Sequence, residues 1–410
     1  MNTWRASRPC WHVLGLLLLM PTLLLGVAAG AEPLDDPIAE LPPDQRPRWS
    51  GLDARAFSGH VPDAPGAVIA ATPLDPALVP TGAGAAHRVL HATTDLWGNP
   101  APSTAAIYLP EGDPPPGGWR ALAHAHGTFG LGDHCAPSAR PLPDALSAAY
   151  TMLLDEGYAV IVSDYQGLGT PGEHAYLHGP TAARNVLDSV RAARGLELPI
   201  TAEWAVLGHS QGGQVALHVE HEARAMAPDL LPALRGAVAI APSVNVADLA
   251  PLVTPALPGV LPAGLSTFGV LAIAAMDTAY PELSVTEALT PLGEEALEVA
   301  RTRCTKPVSR LLEGRTAQDL LVRPLADVPG AMDAAREYLS TPVRGYDRPV
   351  LIVQGLADTA VPAPMVLAYA AELSSNGETP ELHLEPHADH LTVLAFSRSE
   401  VLAFLDAAWS

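Results

Sequence analysis

Residues 203–213 read E-W-A-V-L-G-H-S-Q-G-G, and this stretch decides how the chain folds. Trp204 to Leu207 is a short apolar run of strand type. Gly208-His209-Ser210-Gln211-Gly212 fits G-x-S-x-G, and Val215, Ala216, Val219 and Ala223 then recur at helical spacing. A strand, a sharp turn carrying a serine and a helix together make a nucleophile elbow. The spacing places Ser210 at a strained backbone position with its Oγ clear of the sheet. Gly208 and Gly212 leave room where a β-carbon would collide with the neighbouring strand or helix. The helix starts behind Ser210, so its free N–H groups face any negative charge that develops there. The bland alternative is a structural Gly-Ser turn.

Outward from the elbow, strands and helices alternate. Arg88 to Thr94 and Ser103 to Leu109 read as an antiparallel hairpin around Gly98-Asn99-Pro100. Arg120 to His126 is the next strand, ending in Gly127-Thr128-Phe129-Gly130. A helix over 144–156, a buried strand over 159–163 and a helix over 179–196 precede the elbow, and a strand over 237–240 follows it. From 246 to 342 helical stretches occur without a strand, among them 284–303 and 331–339. The sheet resumes at Val350 to Val353, followed by a helix over 364–373, a strand over 381–384 and a final helix over 391–409. This alternation predicts an α/β fold with a mostly parallel sheet covered on both faces. The expected organisation is a core over 81–245 and 343–410, with a helical cap or lid inserted at 246–342. Residues 32–80, rich in Pro, Asp and Ala, read as an extended N-terminal arm with little regular structure.

Composition narrows the setting. The chain has 410 residues, is 48% apolar and 16% charged, and carries a formal net charge of -21. So acidic a surface argues against nucleic acid and against anionic membranes as partners. Arg5 and Arg8, the apolar run from Val13 to Val27 and Ala29-Gly30-Ala31 have the layout of a secretory signal peptide over 1–31, the alternative being an uncleaved anchor. Cys10 lies in that segment, which leaves Cys135 and Cys304 as an even pair in an oxidising compartment, either bridged or as two buried thiols.

The partners of Ser210 follow from chain order. In the α/β-hydrolase fold the acid and then the histidine come after the serine, in loops at the carboxyl ends of late strands. Asp358 follows the strand at 350–353, where it either completes a triad or only shapes the turn. His387 and His390 both follow the last strand in E-P-H-A-D-H-L, and position favours His390, at the mouth of the final helix. An oxyanion hole needs two donors: the backbone N–H of Gln211, and one from the loop at Gly127-Thr128.

Five stretches, in order, resemble the secretory lipases, the lipase-A type of α/β-hydrolase. They are A-H-A-H-G-T-F-G-L-G-D-H-C-A-P-S at 123–138, S-D-Y-Q-G-L-G-T at 163–170, G-H-S-Q-G-G at 208–213, A-D-T-A-V-P at 357–362 and H-L-T at 390–392. The resemblance implies a lipase or carboxylesterase with Ser210, Asp358 and His390 as its triad. It also implies a helical cap between the late strands and a disulfide from Cys135 to Cys304. At the first oxyanion position this chain has Thr128, where some relatives carry an acidic residue nearby.

The expected chemistry is attack of Ser210 on an ester carbonyl, with His390 as base oriented by Asp358 and water hydrolysing the acyl-enzyme. Activity should fade as His390 protonates in acid. The substrate is a small-molecule or lipid ester, the apolar run 252–275 offers contact with a lipid–water interface, and no metal or organic cofactor is required. An acyltransferase or polyester hydrolase would use the same triad. Two rivals come from other classes. One is a metal-dependent hydrolase using His124, His126, Asp133 and His134, or His383, His387 and His390, although no H-E-x-x-H helix is present. The other is a non-catalytic binding protein on the same fold.

Overall fold

The strands that surround the elbow are apolar on both faces, which sets how many layers the molecule needs. In the strand at 119–125, Ala121, Ala123 and Ala125 point to one core cluster while Leu122 points to another. Trp204 and Val206 divide from Ala205 and Leu207 in the same way. A strand buried on both sides demands helices on both sides.

The computed structural model describes residue 41 and residues 45–410. The expected signal peptide over 1–31, and the beginning of the expected arm, lie outside the described residues. Nine strands form one sheet: β1 (Val68–Pro73), β2 (Ala83–Thr94), β3 (Pro100–Pro110), β4 (Trp119–Ala125), β5 (Tyr158–Ser163), β6 (Ile200–His209), β7 (Leu234–Ile240), β8 (Val350–Gly355) and β9 (Glu381–Glu385). Their order is β1-β2-β3-β5-β4-β6-β7-β8-β9. The first three run antiparallel, β3 meets β5 antiparallel, and every pairing from β5 to β9 is parallel.

The helices are α1 (Asp144–Asp155), α2 (Gly179–Gly195), α3 (Gln211–Met226), α4 (Ala263–Ala279), α5 (Pro291–Thr302), α6 (Thr305–Leu312), α7 (Ala317–Leu320), α8 (Ala331–Tyr338), α9 (Ala363–Ser375), α10 (Val393–Phe396) and α11 (Arg398–Trp409). Residues of α2, α3 and α9 pack with one face of the sheet, and those of α1, α10 and α11 with the other. Helices α4 to α8 fall between β7 and β8 and build a hydrophobic core of their own, from Leu271, Ala296, Val308, Ala317 and Tyr338. Where the chain returns from that segment to β8, buried Glu220 on α3 accepts the backbone N–H groups of Asp347 and Arg348, each at 2.6 Å. Burial pushes the Glu220 carboxyl up to about 7.

Three local expectations fail. The arm, expected to hold little regular structure, supplies a strand of the sheet, because β1 lies within it and forms the edge against β2. The helix expected over 284–303 starts only at Pro291, after a 3-10 turn over Val285–Ala288. Thr290 caps it by accepting the N–H of Gly293 at 3.1 Å. The final helix is broken at Ser397, whose hydroxyl donates back to the carbonyl of Val393 at 2.7 Å, giving α10 and α11.

Candidate active site

Ser210 stands between β6 and α3 with φ 59° and ψ -122°, a region that side chains other than glycine rarely occupy. The strain is held by packing. A β-carbon at Gly208 would overlap the carbonyl of Gly212, and one at Gly212 would overlap that of Ala125 on β4. The turn therefore tolerates no side chain on either side of the serine. The Ser210 N–H is held by Ile240 on β7 at 2.9 Å.

The loops after β8 and β9 bring the other two residues to it. Asp358 is 6% exposed. Its Oδ1 accepts the N–H groups of Ala360 and Val361, both at 2.8 Å, which shapes the turn into α9. Its Oδ2 accepts from Nδ1 of His390 at 2.7 Å. Nε2 of His390 in turn receives the hydroxyl of Ser210 at 2.9 Å. Asp358 thus does both things the sequence offered for it. His387 lies exposed on the same loop. Asp389, beside the histidine, instead shapes the turn before α10 by accepting the N–H groups of Leu391 at 3.0 Å and Thr392 at 2.8 Å.

His209, noted in the sequence only as part of the elbow, has a contact that the motif does not announce. Its Nε2 donates to the backbone carbonyl of His390 at 2.7 Å, and the two rings lie 4.6 Å apart. Burial pulls His209 down to about 3, so it stays a neutral donor.

Opposite the elbow runs the loop after β4. A β-carbon on Gly127 would lie 3.7 Å from that of Ser210, so this glycine lets the backbone pass close over the serine. Gln211 is the first residue of α3, and its N–H has no acceptor within the helix. The hydroxyl of Thr128 meets that of Tyr176 at 2.9 Å. The Gly127 loop is anchored below by Asp164, which is buried with Arg88 at 3.8 Å. Asp164 accepts from Thr104 at 2.6 Å and from the N–H of Ser138 at 2.8 Å, so the buried charge is well hydrogen-bonded. Above, the loop is tied to the helical segment: Cys135 and Cys304 are disulfide-bonded, and the N–H of Thr305 donates to Phe129 at 2.9 Å.

Two histidines of the metal reading, His124 and His126, are engaged elsewhere. His124 bonds Tyr150 at 2.9 Å, and His126 bonds the carbonyls of Gly127 at 2.6 Å and Asp164 at 3.1 Å. Among the described residues, ligand-type side chains gather only at His134, Cys135 and Cys304, where both sulfurs are in the disulfide, and at His383, Glu385 and Glu400. Neither group is a cluster that the sequence suggested.

Between the elbow and helices α4, α5 and α8 lies a cavity of about 190 Å3. Its lining is almost wholly apolar and includes Tyr176, Ser243, Phe268, Gly269, Leu297 and Val361. The ring of Phe268 lies 6.5 Å from that of His390, so one wall of the cavity stands beside the candidate base.

The model of the secretory lipase family matches residues 146–410, which include all three residues of the hydrogen-bonded chain. The chain belongs to the secretory lipase family. The chain is 27% identical over 407 residues to a protein of Mycobacterium tuberculosis described as a probable inactive lipase, covering 93% of this chain and 87% of that one. Its fold is similar to that of Candida antarctica lipase A in its closed state, with a TM-score of 0.69 at 21% identity over 91% of this chain and 86% of that one. It is also similar to the rice cell wall degrading esterase LipA of Xanthomonas oryzae, with a TM-score of 0.66 at 20% identity over 84% and 98% of the two chains. The expected α/β-hydrolase fold is thereby established, and membership of the family supports an ester hydrolase. Among the described residues no helix is long and apolar enough to cross a membrane.

The sequence therefore named Ser210, Asp358, His390, Gly127, Thr128 and Gln211, which the fold brings to one place. It missed Tyr165, His174 and Tyr176, although the stretch 163–170 marked the start of the loop that carries them.

Proposed function

We propose that this chain is an exported serine hydrolase that cleaves carboxylic esters with apolar acyl groups through an acyl-enzyme on Ser210. The observation that carries the proposal is the unbroken chain of hydrogen bonds from Ser210 Oγ to His390 at 2.9 Å and on to Asp358 at 2.7 Å, at a strained elbow. His390 takes the serine proton as Oγ attacks the carbonyl, and Asp358 holds the ring and stabilises its charge. The oxyanion is received by the N–H of Gln211 and by the Gly127-Thr128 loop, each such donor contributing about 3 kcal/mol. His390 returns the proton to the leaving alcohol, and water then repeats the cycle on the acyl-enzyme.

In this reading residues 246–342 form the cap, and the cavity beneath it takes the acyl chain. Each methylene buried there contributes about 0.8 kcal/mol, so longer chains are preferred until the cavity is full. The acidic surface and the disulfide fit an exported enzyme. The relative described as a probable inactive lipase favours a second reading, a non-catalytic protein on this fold, and the intact hydrogen-bonded chain at Ser210 argues against it here.

The test is hydrolysis of p-nitrophenyl esters from acetate to palmitate by the wild type and by Gly269→Phe. Gly269 lines the cavity, and a β-carbon added there meets nothing within 4 Å, so a larger side chain fills space without a backbone clash. The expected result is a fall of about tenfold or more in kcat/KM on palmitate with less than about twofold on acetate. Equal losses on both esters would remove the cavity from the account. A wild type inert on the whole series would remove the activity.

A further inference from the structure

We propose that the loop of residues 164–178 holds the oxyanion hole in register, and that Tyr176 acts on the reaction through the hydroxyl of Thr128. The inference rests on the reading of Ser210 as an esterase nucleophile. It goes beyond that reading by assigning positioning residues.

Three aromatic side chains of this loop each grip a different part of the hole. Tyr165 donates its hydroxyl to the carbonyl of His126, the residue before Gly127, at 3.1 Å, and its ring lies 4.2 Å from that of His126. His174 lies parallel to Tyr165 at 5.6 Å, and its Nε2 accepts the side-chain amide of Gln211 at 3.1 Å. Tyr176 meets Thr128 Oγ1 at 2.9 Å. One loop thus fixes Gly127 from behind, Gln211 by its side chain and Thr128 by its hydroxyl. All three aromatic side chains are buried.

The protonation states agree with this geometry. For Nε2 of His174 to accept, its proton must sit on Nδ1, and the imidazole also bonds the backbone of Gln166. Burial pulls His174 down to about 3, which keeps the ring neutral and the lone pair free. Burial pushes the phenol of Tyr176 up, so it keeps its proton. A phenol is a better donor than an alcohol, so Tyr176 donates to Thr128 and leaves the threonine proton free to turn toward the oxyanion. Hydrogen bonds arranged in such a chain strengthen one another.

The loop is also built at a cost that a simple connection would not need. Tyr165 at φ 64° and Leu177 at φ 62° lie in the left-handed region without being glycine, and both are buried. These strained residues flank the segment that carries His174 and Tyr176.

The experiment is a double-mutant cycle on Tyr176→Phe and Thr128→Val, with Thr128→Ser as the conservative control and p-nitrophenyl butyrate as substrate. Tyr176→Phe keeps the ring and removes only the hydroxyl. It is expected to lower kcat about tenfold with KM unchanged. In the Thr128→Val background it is expected to cause no further loss, because the hydroxyl it orients is gone. Thr128→Ser keeps the hydroxyl and should retain a higher kcat than Thr128→Val. Unchanged kcat in Tyr176→Phe, losses that add in the double variant, or a rise in KM alone would each overturn the proposal and leave Tyr176 as cavity wall. If Tyr176→Phe does not fold, Thr128→Val against Thr128→Ser still decides, since equal kcat in the two overturns it. Labelling of wild-type Ser210 by a fluorophosphonate separates this failure from that of the function. A labelled, active wild type with an unaltered Tyr176→Phe fails this inference alone, whereas an unlabelled, inert wild type fails both.

Discussion

Ser210→Ala is expected to lower kcat for p-nitrophenyl butyrate by about 10,000-fold or more while KM changes little. In the proposed mechanism the serine Oγ makes the bond that the reaction requires, and its hydroxyl is the donor end of the hydrogen-bonded chain: among the described residues His390 Nε2 accepts from this hydroxyl, and Nδ1 donates to Asp358. Alanine is the smallest change that the site can receive. It keeps a β-carbon at the strained φ of 59°, so the elbow and its bond to Ile240 persist. The substrate still meets the cavity and the Gly127 loop, which is why binding survives while turnover does not. His387→Ala, three residues from the candidate base and exposed, is the matched control and leaves activity within about twofold. A Ser210→Ala protein that retains activity would point to another nucleophile or to a metal-bound water.

Removal of the disulfide by Cys135→Ser with Cys304→Ser lowers stability by about 2–5 kcal/mol and the melting temperature by roughly 3–7 °C. The bridge joins residues 169 apart with their Cα atoms 5.5 Å apart. Closing so long a loop removes much entropy from the unfolded chain, about 5 kcal/mol in the chain-entropy account, which is an upper bound. The folded contact does not vanish with the bridge. Gly130 pairs with Cys304 as an isolated antiparallel bridge, and Thr305 still donates to Phe129. Gly130 and Gly132 allow this approach, because a β-carbon on either would run into the backbone of residues 302–304. The double variant is therefore expected to fold and to lose stability. Because Phe129 and Gly130 follow directly on Gly127 and Thr128, kcat should fall more than KM rises. Calorimetry and steady-state kinetics on the same preparation check both statements.

The elbow was legible because its information is local. Strand, glycines, serine and helix occupy eleven consecutive residues, and their steric logic needs nothing from elsewhere. Asp358 and His390 were legible because chain order in this fold assigns them to loops after late strands. Strand β1 was not legible. V-I-A-A-T-P has little apolar alternation, and its place comes from pairing with β2, a partner that the segment itself does not name. The start of α5 was misread although Thr290-Pro291 is a good cap and first position, because the apolar spacing upstream continued through the 3-10 turn. The break at Ser397 depends on one hydroxyl bonding four residues back. The contacts of the loop proposed to support the oxyanion hole could not be read at all. His174 reaches Gln211 across 37 positions and Tyr176 reaches Thr128 across 48, through a loop with no periodicity. Which of its side chains faces which neighbour is a property of its path in space.

The most direct test of the account is covalent trapping of the nucleophile. The native protein is treated with a fluorophosphonate ester, with and without chelator, and the adduct is located by peptide mass mapping alongside the residual esterase activity. The account predicts one adduct, on Ser210, formed in step with loss of activity and unaffected by chelator. Full activity without an adduct on Ser210, or activity abolished by chelator alone, would contradict it.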